Sequence, residues 1–234
     1  MRLLVLTCCV LLFGCSQNKK PGQIQTDLSV LAHGGIEAYQ ALQAVHVAKT
    51  IRLFDSLGAL EKETIQFQVL RHAPGAGSMV GWKDVEGLYR VTDHGGELLL
   101  TLNDSLIPGP ESEEKVRSTI DGAKFVLLQP FKLATDDIRL LEVGERQLDG
   151  FGDVKMFRLQ FPEDSKDRWY FYFDEQQRLV ANEVVHNGRR SLIENLEFQL
   201  HQDLLLHKHR KSYFVDSLHT TKLLRAEYFY DYFQ

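Results

Sequence analysis

The sequence predicts an α+β protein, mainly antiparallel β, in which a sheet of about ten strands curves into a half-barrel and short helices cover its concave face. Two observations lead to this fold class. Apolar and polar residues alternate over most of the chain, which is the period of a half-buried strand. Helical spacing is confined to short segments, and the sequence lacks the strand–helix–strand alternation that builds parallel sheets.

The N-terminal residues have the organisation of a lipoprotein signal peptide. Met1-Arg2 forms a short, positively charged N-terminal region. It precedes an apolar run, Leu3 to Phe13, which is shorter than the roughly 20 residues that span a bilayer. The run leads into Leu12-Phe13-Gly14-Cys15, which resembles a bacterial lipobox with Phe13 in place of the usual small residue. We therefore expect residues 1–14 to be removed, Cys15 to be lipidated, and the polar residues 15–25 to form a flexible tether.

The cysteine positions support this interpretation. All three cysteines, Cys8, Cys9 and Cys15, lie at the N-terminus, so the processed chain keeps a single cysteine as its first residue. That leaves neither an intrachain disulfide nor a cysteine-ligated metal. Several acyl chains on Cys15 would hold the protein stably on a membrane. We expect a membrane-anchored lipoprotein of the cell envelope, in the outer membrane and facing the periplasm.

The remaining residues, 26–234, are enough for one domain with its own core. The net charge is −5, and the sequence supplies no basic face, so we expect no nucleic-acid partner. Basic residues cluster only at Lys19-Lys20 and from His207 to Lys211, which we interpret as tether and solvated surface. We expect the domain to be a monomer.

Three short helices are predicted. Thr26 or Asp27 caps the first, Gly34-Gly35 interrupts it, and the second runs from Ile36 to Gln43. The central helix, Glu111 to Leu128, carries apolar residues at helical spacing and ends before a proline.

About ten segments show the two-residue period of strands. In the second of them the apolar row is Ile65, Phe67 and Val69, which we expect to be buried. Between Trp169 and Phe173 the phenyl and indole rings share a dry face, whereas the tyrosines, Tyr172 among them, point to the wet face. The last strand places three tyrosines on one side: Tyr228, Tyr230 and Tyr232.

Three segments carry a resemblance to a known family. They are "AHGGIEAY" (Ala32 to Tyr39), "FVLLQPFKLATD" (Phe125 to Asp136) and "DRWYFYFDEQQRLV" (Asp167 to Val180). Together with the lipobox and the order of elements, they resemble the lipoprotein-localisation-factor (LolA/LolB-like) superfamily over residues 26–230, and most of all its lipoproteins in Bacteroidota. The resemblance implies an antiparallel half-barrel plugged by helices. Better-known members carry acyl chains of lipoproteins, but no transport-specific residue can be matched here.

The aromatic content suggests a ligand. Three short helices provide little cover for so many large apolar side chains, so either the sheet closes on itself or a cavity remains. We therefore predict that the protein binds a lipid, another hydrophobic molecule or an acylated partner, with the central helix and Pro130-Phe131 as a lid. The candidate ligand-binding residues are Phe67, Trp82, Phe125, Leu128, Phe131, Phe157, Trp169, Phe171 and Phe173. The alternative is a structural or protein-interaction lipoprotein with a filled core and no ligand, and a third hypothesis is a hydrolase.

Two histidine-containing segments offer chemistry, but structural roles are simpler. His33-Gly34-Gly35 resembles a backbone nest beside a histidine, although the glycines more simply break the first helix and allow close packing. His207 and His209 have a spacing that can ligate a metal, with His201 and Asp203 nearby, but the adjacent cations oppose metal binding.

Two residue pairs, Asp93-His94 and Asp136-Asp137, offer carboxylate and imidazole groups for acid–base catalysis. Each lies at a predicted strand end or turn, where Asp commonly forms local hydrogen bonds. The sequence also lacks a nucleophile-elbow, zinc-protease or phosphate-loop motif. We therefore expect no catalytic residues, no metal, no cofactor and no enzymatic activity.

Overall fold

The structure is a computed structural model that describes residues 19–73, 76–135, 137–160 and 167–233. The predicted signal peptide (residues 1–14) and lipidation residue Cys15 lie outside the described residues, as does Asp136. In the described part of the chain, no helix has the length and apolar character needed to cross a membrane.

The protein is built from one large sheet and a few helices. The helices are α1 (Pro21–Ala32), α2 (Gly35–Ala41), α3 (Pro110–Leu127) and α4 (Gln129–Leu133). The strands are β1 (Ala44–Phe54), β2 (Leu60–Arg71), β3 (Ser78–Asp84), β4 (Gly87–His94), β5 (Glu97–Leu102), β6 (Ser105–Leu106), β7 (Arg139–Leu148), β8 (Gly152–Gln160), β9 (Arg168–Phe173), β10 (Leu179–His186), β11 (Arg189–His201), β12 (Leu204–Val215) and β13 (Lys222–Phe233).

The sheet has 13 strands, so the predicted number of about ten is wrong. The sequence pattern does not reveal β6 and β7. Strand β6 has only 2 residues. Strand β7 lies at an edge, where Leu141 and Val143 are exposed, so its apolar residues do not mark one buried face.

The sheet is antiparallel and open, with the order β6-β5-β4-β3-β2-β1-β13-β12-β11-β10-β9-β8-β7. Every neighbouring pair in this order is consecutive in sequence except β1 and β13, which join at the centre. There Lys49 lies opposite Tyr230, and Ile51 lies opposite Tyr228. We call the side on which α3 packs the helix-covered face and the opposite side the outer face.

Pairing with β1 decides which side of β2 is buried. Val47 lies opposite Gln68, and Ala48 lies opposite Phe67. Because directly paired residues share a face, buried Val47 carries Gln68 to the helix-covered face and Phe67 to the outer face. Phe67 is 56% exposed and Ile65 is 47% exposed, so the prediction that this row is buried is wrong. The buried Gln68 side chain donates a hydrogen bond from Nε2 to Gln66 Oε1 (2.9 Å).

Helix α3 follows the predicted central helix closely. Pro110 stands in its first turn, and Glu111 and Glu113 lie near its positive N-terminal end. Val116, Ile120 and Leu127 form its buried side. They belong to a first core that also contains Val45, Val47, Leu70, Val80, Val91, Leu100, Leu128 and Phe131. Each such buried side chain stabilises the fold by roughly 1.5–3 kcal/mol.

A second core lies toward the other edge of the sheet. Its centre is three fully buried phenylalanines on β8 and β9: Phe157, Phe171 and Phe173. The rings of Phe157 and Phe173 meet edge to face, with centroids 5.6 Å apart. Leu133 of α4 and Leu140 of β7 complete this core, so α4 connects the two cores.

A smaller core is present on the outer face, and we call it the outer core. It contains Tyr172, which is buried, so the prediction that Tyr172 points to the wet face is wrong. The turn after β12 approaches β7 and closes this side, with Arg146 donating to the Ser217 carbonyl (3.3 Å). The Tyr172 hydroxyl donates to Glu183 (2.9 Å).

Glu183 is buried in this outer core with several partners. His219 Nε2 lies 2.7 Å from its carboxylate, and Arg190 pairs with the same group. Burial opposes ionisation of Glu183, but the hydrogen bonds from His219 and Tyr172 and the charge of Arg190 together lower the pKa of the carboxyl below its ordinary value. The outer core is therefore built around an ionised carboxylate.

Helix α1 begins earlier than the sequence predicted. It starts at Pro21, so residues 21–25 are helical and do not belong to a tether, and the expected start at Thr26 or Asp27 is wrong. Pro21 fixes a helical φ in the first turn. Gly22 packs tightly on β7, because an added Cβ there would lie 1.9 Å from the Leu140 carbonyl oxygen.

Gly34 separates α1 from α2. Its φ is +116°, and an added Cβ would lie 2.3 Å from the Asp203 carbonyl oxygen. Both facts require glycine, which confirms the interpretation that this glycine interrupts the helix and permits close packing.

Candidate ligand cavity

A cavity of about 170 Å³ lies between the sheet and the junction of α3 and α4. Its walls come from β1 and from β9 to β13 on one side and from the two helices on the other. The cavity therefore spans the centre of the sheet, where β1 meets β13.

One side of the cavity is apolar. Phe125 of α3 and Trp169 of β9 meet edge to face, with ring centroids 6.0 Å apart. Val184 is paired directly with Trp169 in the sheet, and Ile193 extends the same surface on β11. This side presents apolar surface that can contact an alkyl chain.

The opposite side is formed by a buried guanidinium. Arg210 is 3% exposed. Its Nε donates to Asn195 Oδ1 (2.7 Å), and its Nη2 donates to Asn182 Oδ1 (3.0 Å). Both partners are neutral amides, and no carboxylate among the described residues pairs with Arg210. The charge is held in place but not neutralised.

Lys49 adds a second positive charge to the cavity. Its Nζ lies 5.0 Å from the ring centre of Tyr228 and 5.5 Å from that of Tyr230. Burial opposes ionisation of Tyr230, but the charges of Lys49 and Arg210 outweigh it and lower the pKa of this phenol below its ordinary value. At Tyr228, burial raises the pKa instead. Of these two phenols, Tyr230 is therefore the one on which the nearby cations outweigh burial.

Two buried polar groups at the cavity have no hydrogen-bond partner among the described residues. They are the Tyr230 hydroxyl and Gln129 Oε1. Tyr230 is 2% exposed and Gln129 is 1% exposed, so both are removed from bulk water. Groups of this kind usually bind water or a ligand, because an unsatisfied buried polar group costs roughly 1–3 kcal/mol.

The nine predicted ligand-binding residues are distributed over several parts of the molecule. Phe125 and Trp169 line the cavity. Five are packed in the two cores on the helix-covered face: Leu128, Phe131, Phe157, Phe171 and Phe173. Trp82 lies on the other half of the sheet, stacked on Tyr89 with centroids 5.3 Å apart. Phe67 is on the outer face, away from the cavity.

The sequence interpretation missed the polar side of the cavity. Arg210 and His207 were assigned to a solvated basic segment, yet both are buried, so that assignment is wrong for these two residues. The segment is a strand with an irregularity: its pairing with β11 skips Lys208 between His207 and His209, and this shift of register allows both His207 and Arg210 to be buried. Lys208 and Lys211 form ion pairs with Glu197 and Glu227. One available signal was the row of tyrosines on β13, of which Tyr228 and Tyr230 do line the cavity.

The histidines considered for catalysis or metal binding have structural contacts. His33 Nδ1 donates to the Leu205 carbonyl (2.8 Å), and its Nε2 accepts from the Leu179 amide (3.2 Å), which corresponds to one neutral tautomer. Burial lowers the pKa of His33. His207 packs near His33, with ring centroids 6.5 Å apart, and His209 stacks on Phe229 at 4.4 Å. The part of the chain that the structure describes brings no three histidine, cysteine or acidic residues together as a metal site.

The acidic candidates lie in turns. Asp93 Oδ1 accepts a hydrogen bond from the Gly96 amide (3.1 Å) and stabilises the turn between β4 and β5. Asp137 lies just before β7, where a side-chain hydrogen bond with Thr135 lowers the pKa of its carboxyl.

A single open antiparallel sheet with short helices packed on one face defines a LolA-like fold. The structure is similar to a LolA superfamily protein from Nitrosomonas europaea (TM-score 0.58, 13% identity, covering 91% of this chain and 92% of that chain). It is also similar to an outer membrane lipoprotein-sorting protein domain from Vibrio parahaemolyticus (TM-score 0.54, 13% identity, covering 90% and 92%). No protein-family model matches the chain, and no curated protein matches it. The predicted likeness to lipoproteins of Bacteroidota stays a prediction.

Proposed function

We propose that the protein is a cell-envelope lipoprotein that binds a lipid, or the acyl chain of a lipidated partner, in the cavity beneath α3 and α4. The observation that carries this proposal is the apolar wall of Phe125 and Trp169 beside a preformed cavity of about 170 Å³. Sites for whole small molecules usually measure about 300–1,000 Å³. The present cavity thus accommodates one end of such a molecule.

A longer chain would need the helices to move away from the sheet. Helix α4 is held on α2 by the stacked rings of Phe131 and Tyr39, with centroids 4.5 Å apart and planes 4° apart. Beneath α3, the first core presents aliphatic side chains of β3 to β5 that would continue the apolar wall once the helix lifts. The predicted lid role of the central helix and of Pro130-Phe131 fits this arrangement.

The proposed location rests on the N-terminal sequence. Lipidation of Cys15 would place α1 within a few residues of a bilayer. Ile24, Leu28 and Leu31 follow one side of α1 at helical spacing and are all exposed. An exposed apolar row is compatible with a helix that lies at the membrane surface. Outer-membrane anchoring toward the periplasm and the monomeric state belong to the same proposal.

The second candidate is an interaction lipoprotein with a filled interior. It is favoured by the tight packing of Phe131, Phe157, Phe171 and Phe173, which leaves these predicted ligand residues without free space. The two functions differ in one measurable property, which is whether an alkyl chain reaches Trp169.

Brominated lipids test this directly, because bromine quenches tryptophan fluorescence at contact distance. The chain from Ser16 onward omits the lipidation residue and keeps all four helices and 13 strands. The substitution Trp82→Phe leaves Trp169 as the single tryptophan. We expect 9,10-dibromostearic acid to quench this fluorescence in a saturable manner.

The matched variants are Phe125→Glu, which places a charge in the apolar wall, and Phe67→Glu, which places the same charge on the outer face. Binding should be lost in the first and unchanged in the second. If Trp169 is not quenched by the brominated acid or by its methyl ester, the lipid-binding proposal is wrong and the filled-interior function is favoured.

A further inference from the structure

We propose that the cavity selects amphiphiles with an anionic head group, a carboxylate or a phosphate, which binds between Arg210, Lys49 and the Tyr230 hydroxyl while the chain lies against Phe125 and Trp169. This inference rests on the proposed lipid-binding function and defines the ligand class. The apolar wall by itself would not discriminate between charged and neutral lipids.

The charge of Arg210 is not compensated by a carboxylate among the described residues. Buried cations in proteins are normally paired with an anion, because removing a charge from water costs several kcal/mol. Arg210 is 3% exposed, and its Nε and Nη2 are hydrogen-bonded to two neutral amides, Asn195 and Asn182. These bonds fix the plane of the guanidinium. The guanidinium also lies close enough to the Tyr230 hydroxyl to help lower the pKa of that phenol against the effect of burial, so an anion bound beside the hydroxyl would be within its reach.

Two cations share one small cavity, and none of the described residues that line it is a carboxylate. Lys49 reaches it from β1 and Arg210 from β12. Lys49 Nζ contacts the faces of two tyrosine rings and forms no salt bridge with any described residue. Against the opposing effect of burial, these two charges lower the pKa of Tyr230, and the same charges that favour a phenolate favour a bound anion.

Two buried polar groups at the cavity have no hydrogen-bond partner among the described residues. The Tyr230 hydroxyl is a donor without an acceptor among the described residues, and it lies where the two cations act. The Gln129 side chain comes from the helix side with an unpartnered oxygen. A carboxylate or a phosphate can accept a hydrogen bond from the Tyr230 hydroxyl, and a singly protonated phosphate monoester also offers a hydroxyl donor to Gln129 Oε1.

The size of the cavity agrees with a head group. About 170 Å³ is room for a carboxylate or phosphate and the first few methylene groups, and the apolar side begins at once with Val184 and Ile193. The site therefore orients an amphiphile with its charged end at the centre of the sheet and its chain toward α3.

The test compares two ligands that have the same acyl chain, one with a charged head group and one with a neutral head group. In the Trp82→Phe background, we expect 9,10-dibromostearic acid to bind roughly 10- to 100-fold more tightly than its neutral methyl ester, the range that a charge-assisted hydrogen bond supports. Arg210→Gln and, separately, Lys49→Gln should reduce this preference, and Arg210→Lys should retain part of it. Lys49 is less buried than Arg210, so Lys49→Gln still allows the preference for acid over ester to be measured if Arg210→Gln does not fold.

The outcomes separate the two proposals. Equal affinity for acid and ester, or a preference that persists in both Gln variants, overturns the head-group inference and leaves lipid binding intact. Failure of both ligands to quench Trp169 removes the proposed function itself. Competition by stearoyl lysophosphatidate and by unlabelled stearate then identifies the source of the head group. Stronger displacement by the former indicates a phospholipid, and stronger displacement by the latter indicates a free fatty acid.

Discussion

His207 allows a test of how much it costs in stability to bury a polar side chain without hydrogen-bond partners. The residue is 1% exposed, and neither ring nitrogen has a hydrogen-bond partner among the described residues. Burial, followed by the charges of Arg210 and His33, holds the pKa of His207 well below its ordinary value of 6.5. The ring is therefore neutral at pH 7.5, and it is removed from bulk water without gaining a side-chain hydrogen bond to the described residues. Replacement by Leu should remove this cost.

The magnitude follows from these contacts. An unsatisfied buried polar group costs about 1–3 kcal/mol, so His207→Leu should raise the free energy of unfolding by about 1–2 kcal/mol at pH 7.5 after some loss of packing. The unfolded imidazole accepts a proton near pH 6.5, whereas the folded one does so only at lower pH. The contribution of His207 to the free energy of unfolding is thus fully present above pH 6.5. It is lost as the pH falls below that value, by about 1.4 kcal/mol per pH unit. The Leu variant lacks this loss.

Urea unfolding, followed by tryptophan fluorescence at pH 7.5 and pH 5.5, measures both effects. His33→Leu is the matched control, because His33 has similar burial but two hydrogen bonds, to Leu205 and Leu179. That variant should lose about 2–4 kcal/mol at pH 7.5. Destabilisation by His207→Leu of more than about 1 kcal/mol at pH 7.5 would refute the reasoning, as would an unchanged pH dependence.

Two further predictions concern the fold. Gly34→Ala should destabilise the protein by about 2–4 kcal/mol in the same urea assay, because the new Cβ meets the Asp203 carbonyl oxygen at 2.3 Å and φ is +116°. A loss under about 0.5 kcal/mol would mean that this junction can rearrange. Glu183→Gln should cost about 3–5 kcal/mol at neutral pH by leaving Arg190 unpaired. Since the folded pKa of Glu183 is lowered, its contribution is present above the unfolded pKa of 4.5 and fades as the pH falls through the folded value. The gap between wild type and Glu183→Gln should therefore narrow in acid, and a constant gap would contradict an ionised Glu183.

The parts of the fold that the sequence predicts are those set by local spacing. Helix α3 is recognisable because Val116, Ile120 and Leu127 repeat at helical intervals and remain buried. The three tyrosines of β13 were predicted to share a side, and they do, opposite Ile51, Lys49 and Val47. The LolA-like fold itself was predicted from the order of elements and is confirmed by the structural similarities.

The errors arise where a distant strand decides the outcome. In β2 the local pattern favours burial of the apolar row, and only pairing with β1 sends Phe67 outward and Gln68 inward. In the basic segment of β12, local composition indicates exposure, yet the strand directs Arg210 toward the helix-covered face, where Asn195 is its direct partner on β11. The cavity could not be predicted for the same reason, since Lys49 and Arg210 are remote in sequence.

The central pairing of β1 with β13 has a consequence for how the protein folds. Each half of the sheet is a succession of hairpins between sequence neighbours, which form by closing short loops. The junction alone, among the described strands, must wait for residues near opposite ends of the chain to meet, and such distant contacts are slow to form. Lys49 and Tyr230 face each other across this seam. A chain that has formed only one half of the sheet lacks part of the cavity wall. Ligand uptake would therefore begin only after β1 and β13 have paired, and it would report that the sheet is complete.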